Sequence, residues 1–173
     1  TISCVSNLAR NVDAGQCNAT IAASALAPAS YGDNCAVTTS NLSWIVTGAT
    51  TGNGTGSMPQ TAFNVGITTV TYTITDNSFR TATCSFTVTV TDNIDPTITC
   101  IANIAPHVDA GGCTATVSAT ALAPTAYSDN CSVIASNLSW VMTGANSGSG
   151  SGLIPQTAFN VGTTTVTYTI TDN

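Results

Sequence analysis

Seven cysteines are the most reactive groups in this 173-residue chain: Cys4, Cys17, Cys35, Cys84, Cys100, Cys113 and Cys131. None stands in the paired C-x-x-C spacing that zinc ribbons and thioredoxin-like sites need, so the chemistry expected of them is disulfide cross-linking in an oxidising, extracellular compartment. Four cysteines, Cys4, Cys17, Cys35 and Cys84, make one set, and four permit three pairings, which spacing alone leaves open.

Oxygen donors are the second candidate. Asp92, Asn93 and Asp95 lie within four residues of one another and offer carboxylate and amide oxygens to a hard cation, so calcium is the one cofactor the residues admit. The competing reading is that Asp and Asn at strand ends form Asx-turns, which need no metal. Sequons of the N-x-S/T type at Asn18, Asn41, Asn53, Asn130 and Asn137 are candidate glycosylation sites. Sugars there would shield the surface and blunt the pairing of exposed strand edges.

No catalytic constellation is expected. The single histidine, His107, corresponds to Asn11 in an earlier copy of the same pattern and reads as a surface substitution rather than a general base. Serines are many, and none has a base beside it in any recurring arrangement. The Gly-rich stretch 48–56 lacks the following helix and Lys of a phosphate cradle and reads as a loop. The chain is not expected to be an enzyme.

Charge narrows the partners. All eight acidic residues are Asp, the only cations are Arg10 and Arg80, and the net charge is −6. Without a basic stripe the chain cannot neutralise phosphates, so nucleic acid is excluded as a partner, and an anionic membrane surface would repel it. No apolar run reaches the roughly 20 residues that span a bilayer, so membrane insertion is not expected in this segment.

The elements that must hold these groups are strands. Glu and Lys, the usual surface residues of helices, are missing, while Thr and Val, which fit a pleated, half-buried surface, dominate. Val70, Tyr72 and Ile74 share one parity and Thr69, Thr71, Thr73 and Thr75 the other, so one face is core and the other threonine. Cys84, Phe86, Val88 and Val90 alternate in the same way with Ser85, Thr87, Thr89 and Thr91, and residues 76–80 are the hairpin between the two strands. Upstream strands are expected at residues 1–5, 17–23, 42–47 (with Trp44) and 60–65. Roughly seven short strands in about 90 residues, with a central Trp, is the pattern of an immunoglobulin-like sandwich; Tyr72 is placed to form its tyrosine corner, and Ile74 stands where a second core cysteine would be.

The pattern occurs twice. Residues 1–77 return without a gap as residues 97–173, an offset of 96 read from Cys4 and Cys100, Trp44 and Trp140, Tyr72 and Tyr168, and about two-thirds of the paired positions are identical. A period this long makes each copy a domain with its own core rather than a turn of a solenoid. The expected organisation is two tandem all-β sandwiches, residues 1–93 and 94–173, the second lacking a counterpart of the strand at 84–90 within this window.

Several spaced motifs in this order resemble the hyalin repeat, or HYR domain: Cys4; Asp33-Asn34-Cys35; Phe63-Asn64-Val65-Gly66 running into Thr69 to Asp76; Thr83-Cys84-Ser85-Phe86-Thr87-Val88-Thr89-Val90; and residues 92–96. Arg80 departs from the Gly or Asn usual in the hairpin before the last strand. The resemblance implies an extracellular immunoglobulin-like module found in tandem, associated with adhesion and without catalysis. In such a sandwich the first and last strands run parallel at one edge, which brings Cys4 to Cys84 and leaves Cys17 for Cys35 and Cys113 for Cys131; a Cys84–Cys100 bridge across the linker is the alternative. On this pairing Cys100 awaits a partner beyond residue 173.

The linker at 91–97 is short and stiffened by Pro96, so consecutive domains should hold a restricted angle and build rods of roughly 40 Å per domain. Two functions follow as expectations: a structural segment of an extracellular fibre or cell-surface stalk, or a recognition module whose loops bind a glycan or protein. The Gly-rich loop holds no aromatic or charged group, which favours the first. For assembly, one continuing chain is preferred to self-association by strand donation between subunits, because the amino end begins in a strand and carries no spare donor segment.

Overall fold

The computed structural model describes residues 1–34 and 36–172 and divides into two units, Thr1–Asn93 and Ile94–Asn173. Both are all-β. In unit 1 the strands are β1 (Ile2–Ser3), β2 (Leu8–Asn11), β3 (Asn18–Ile21), β4 (Ser30–Tyr31), β5 (Leu42–Gly48), β6 (Gly52–Thr55), β7 (Thr61–Asn64), β8 (Gly66–Thr75) and β9 (Thr81–Thr91). They form a five-stranded sheet in the order β2-β9-β8-β5-β6 and two small sheets, β1-β4 and β3-β7.

The core lies where the alternation places it. Along β8 the side chains of Thr68, Val70, Tyr72 and Ile74 are buried while the intervening threonines are half-exposed, and Phe86, Val88 and Val90 are buried from β9. Phe63 of β7, Ala19 and Ile21 of β3, and Leu26 face them. Thr68 is the one polar side chain fully buried among the described residues, and its hydroxyl accepts the Thr50 N–H at 3.0 Å. Each fully buried Val, Leu or Phe contributes roughly 1.5–3 kcal/mol.

Three features depart from the sequence expectations. The strand parallel to β9 is β2, not the first strand: Leu8 pairs with Val88 and Asn11 with Thr91, while β1 pairs antiparallel with β4 in another sheet. The edge of the sandwich is thus shared by two short pieces of one chain segment. Part of the Gly-rich stretch is not a loop but the edge strand β6, paired with β5 through Trp44 and Gly54. The Trp44 indole lies flat on Gly54, where a Cβ would come within 2.4 Å of Cζ2, so backbone pairing with a glycine makes room for the ring. Single helical turns also occur, α1 (Ala23–Leu26) in unit 1 and α2 (Ala119–Leu122) in unit 2, each sending one leucine into the core.

The β8–β9 hairpin sits at 76–80 as the alternation requires. Its tip is held by the Asp76 carboxylate, which accepts the N–H groups of Ser78 and Arg80, both at 2.8 Å. The residue in the left-handed region is Phe79, at φ 62°, rather than Arg80, and its ring is 89% exposed. A Cβ in that region costs about 1–2 kcal/mol and the exposed ring recovers little of it, so Phe79→Gly is expected to stabilise unit 1 by about 1 kcal/mol in urea titration.

Unit 2 repeats this plan with β10 (Thr97–Thr99), β11 (Thr114–Val117), β12 (Ala126–Ser128), β13 (Leu138–Gly144), β14 (Gly148–Ser151), β15 (Thr157–Asn160) and β16 (Thr164–Ile170). The β13–β16 register, Trp140 opposite Tyr168, copies the β5–β8 register, Trp44 opposite Tyr72. Its larger sheet has three strands, β14-β13-β16, and among the described residues β16 pairs on one side only.

Candidate functional site

The groups that could carry chemistry are best located from the covalent staple outward. Cys4 follows β1, Cys84 lies on β9, and the two are joined with their Cα atoms 5.6 Å apart. Because β1 has two residues and ladders only with β4, the disulfide is the bond that ties the start of unit 1 to its last strand. Cys84 being taken, the alternative bridge to Cys100 is not formed, and Cys100 is an exposed free thiol.

Cys17 and Cys131 are both in disulfide form. The expected Cys17–Cys35 pairing falls on Cys35, outside the described residues. The expected Cys113–Cys131 bridge is not present: Cys113 is an exposed free thiol on the segment before β11, whereas the Cys131 side chain is buried. The Cys131 sulfur is already in a disulfide, so it has no bond to offer Cys113.

The acidic residues act largely on the backbone. The Asp13 carboxylate accepts Thr20 N–H at 2.9 Å, Asp109 accepts Thr116 N–H at 3.1 Å, and Asp129 accepts Cys131 N–H at 3.0 Å. The Asp129 contact, two residues on, is that of an Asx-turn, whereas Asp13 and Asp109 reach seven residues on to the strands β3 and β11. Of the three oxygen donors named for calcium, Asp92 is half-buried and Asn93 exposed at the end of unit 1, and Asp95 is exposed at the start of unit 2.

The five sequons separate by environment. Asn41 is built into the fold: its Oδ1 accepts the Thr38 N–H at 2.9 Å and its Nδ2 donates to the Thr75 carbonyl at 3.0 Å. Asn137 makes the matching bond, accepting the Ile134 N–H at 2.9 Å. Asn130 is part-buried beside Cys131, with its Nδ2 3.5 Å from the sulfur. Asn18 is half-buried on β3, and Asn53 is exposed on the edge strand β6. His107 is exposed in unit 2.

Tyr72 carries the most specific polar contact of the core. Its hydroxyl accepts the buried Met58 N–H at 3.0 Å, pinning the segment between β6 and β7 to the centre of β8. Burial pushes the phenol above its ordinary value, the hydrogen bond from Met58 opposing the shift in part. Tyr168 accepts the Ile154 N–H at 3.1 Å in the same way. The tyrosine position was legible as a buried member of an alternating strand; its partner fourteen residues upstream was not, because any loop amide could have met it.

Unit 2 holds a groove of about 700 Å³ lined by Cys100, Val117, Phe159, Val166 and Tyr168 among others. No sequence motif marks it: it arises from what unit 1 has and unit 2, among the described residues, does not, a strand beside β16.

Comparison with known proteins gives one family: a family model of the HYR domain matches residues 1–90. No curated protein and no solved structure matches the chain.

Proposed function

The chain belongs to the HYR domain family, and from that premise we propose that it is a structural repeat segment of an extracellular fibre or cell-surface stalk. The supporting observation is that the framework, rather than a loop, is what recurs between the two units. The Trp-on-Gly contact, the ladder register and the tyrosine pin to the segment fourteen residues upstream occur in both. The Gly-rich stretch, which varies at Asn53, Thr55, Ser57 and Met58 against Ser149, Ser151, Leu153 and Ile154, carries no charged or aromatic group with which to anchor a ligand.

HYR domains are extracellular-type modules associated with adhesion, and the Cys4–Cys84 disulfide fits an oxidising compartment. No helix among the described residues is long and apolar enough to cross a membrane. In this reading the sulfur bridges supply the durability that a surface with two cations cannot draw from ion pairs, and the protein performs no catalysis. Electron microscopy of the native material tests it. Regular threads with domain-spaced beads are expected. Isolated compact particles that bind immobilised glycans or proteins would replace the stalk with a recognition module.

A further inference from the structure

We propose that Asn53 is the N-glycan acceptor of the folded chain, presented to a glycosyl-transferring enzyme on the open edge of β6. The inference goes beyond the fibre reading and stands without it, since it concerns only which sequon a folded unit can offer.

An acceptor sequon must present an amide and a hydroxyl two residues apart, and extended backbone sets such a pair on one face. β6 does this. It ends the five-stranded sheet, and Asn53 and Thr55 are both exposed. Their side chains share the outer face, Asn53 standing opposite Ile45, which is 57% exposed, while the face of Gly54 is covered by Trp44. The backbone is open as well. The Gly56 N–H donates to the Leu42 carbonyl at 2.8 Å, and the two-residue alternation of an antiparallel ladder then turns the N–H and C=O of Gly54 toward β5 and those of Asn53 and Thr55 away from the sheet. An enzyme can therefore hold this sequon as an added strand while the fold stays intact.

The other four sequons are closed by the fold. Asn18 pairs with Asn64 of β7 on one side; on the other its carbonyl accepts the Asp13 N–H at 2.8 Å, and the Thr20 N–H donates to the Asp13 carboxylate at 2.9 Å. The Asn41 amide is spent on the Thr38 N–H and the Thr75 carbonyl, and the Asn137 amide on the Ile134 N–H. Asn130 precedes the buried Cys131, whose N–H is held by Asp129. Each of these needs local opening before an enzyme can reach it.

The donor is an oligosaccharide carried on a polyprenyl diphosphate. Asn53 Nδ2 attacks the anomeric carbon, the carbon–oxygen bond to the diphosphate breaks, polyprenyl diphosphate leaves with the bonding pair, and Nδ2 gives one proton to the enzyme's base. One C–N bond replaces one C–O bond, with no oxidation or reduction. The sugar then stands beside the outward backbone groups of β6 and keeps another strand from pairing there. In unit 2 Ser149 takes the place of Asn53 on β14, so that edge receives no sugar.

The test incubates the folded, disulfide-intact chain with lipid-linked oligosaccharide and a purified oligosaccharyltransferase that accepts free peptides of residues 13–24 and 49–60. Glycopeptide mass spectrometry is expected to find Asn53 modified within about tenfold of its peptide's rate and Asn18 slowed at least about a hundredfold relative to its own, because only Asn18 needs the fold to open. Asn53→Gln should abolish the product. Ser149→Asn combined with Ser151→Thr, which rebuilds the pattern on β14, should add a second glycan. An unmodified Asn53 in the folded chain, any other native sequon modified as fast as Asn53, or no gain on β14 would each overturn the proposal.

Discussion

Replacing Cys4 and Cys84 together with serine lowers the unfolding free energy of unit 1 by about 4–5 kcal/mol, the largest single effect expected in this chain. The bridge closes a loop with a sequence separation of 80 residues. In the chain-entropy description the unfolded chain loses most freedom when the loop is long, so this staple acts chiefly by restraining the unfolded state. The native side has little to replace it. β1 is two residues long and ladders only with β4, so without the bridge the residues before β2 are hydrogen-bonded to β9 through Asn7, whose Oδ1 accepts the Thr87 N–H at 3.0 Å. Small domains hold about 5–15 kcal/mol in all, which leaves the serine variant close to the threshold of folding. Urea unfolding followed by Trp44 fluorescence, in a Trp140→Phe background so that only unit 1 reports, measures the change. A loss below about 1 kcal/mol would show that β2 and β9 hold the edge without the sulfur.

Tyr72→Phe is expected to cost about 1–3 kcal/mol while leaving the apolar packing of the ring almost unchanged. The reason is asymmetric. Removing the hydroxyl strands the Met58 N–H, which is buried and would have no acceptor, so the full desolvation of that amide is felt. The same group makes stability depend on alkaline pH. The folded chain keeps the Tyr72 proton more tightly than the unfolded chain does, because burial disfavours the phenolate. Its contribution is therefore complete below the ordinary tyrosine range near pH ~10 and is lost as the pH climbs through the raised folded value. Urea midpoints of unit 1 taken from pH 8 upward should fall through this region in the parent chain and fall less in Tyr72→Phe, with a lower starting value. An identical alkaline decline in both would remove Tyr72 as its source.

Much of this molecule could be read from residue order because its strongest signals are local and periodic. The two-residue alternation of Val70, Tyr72 and Ile74 against threonine decided which faces are core, and a turn-forming Asp76 decided where the chain reverses; both depend only on neighbours within a few residues. The 96-residue recurrence and the lack of Glu and Lys decided the domain size and the β class for the same reason: composition and period need no partner to be known.

What tertiary structure alone decided are the contacts between segments far apart. β2 and β6 carry no alternation. Leu8-Ala9-Arg10-Asn11 is a strand because β9 lies beside it, and Gly52-Asn53-Gly54-Thr55 is one because β5 does, with Trp44 needing a surface without a Cβ. Residues 104–107, which correspond to β2, do not form a strand: among the described residues no last strand flanks them, and Pro106, without an N–H, stands where β2 has Arg10. The free state of Cys113, the left-handed Phe79 and the pairing of Tyr72 with Met58 belong to the same class, since each depends on where the backbone places a distant or solvent-facing group. Short-range periodicity chose the strands and their buried faces; long-range geometry chose which edges pair and which sulfurs of unit 1 are brought together.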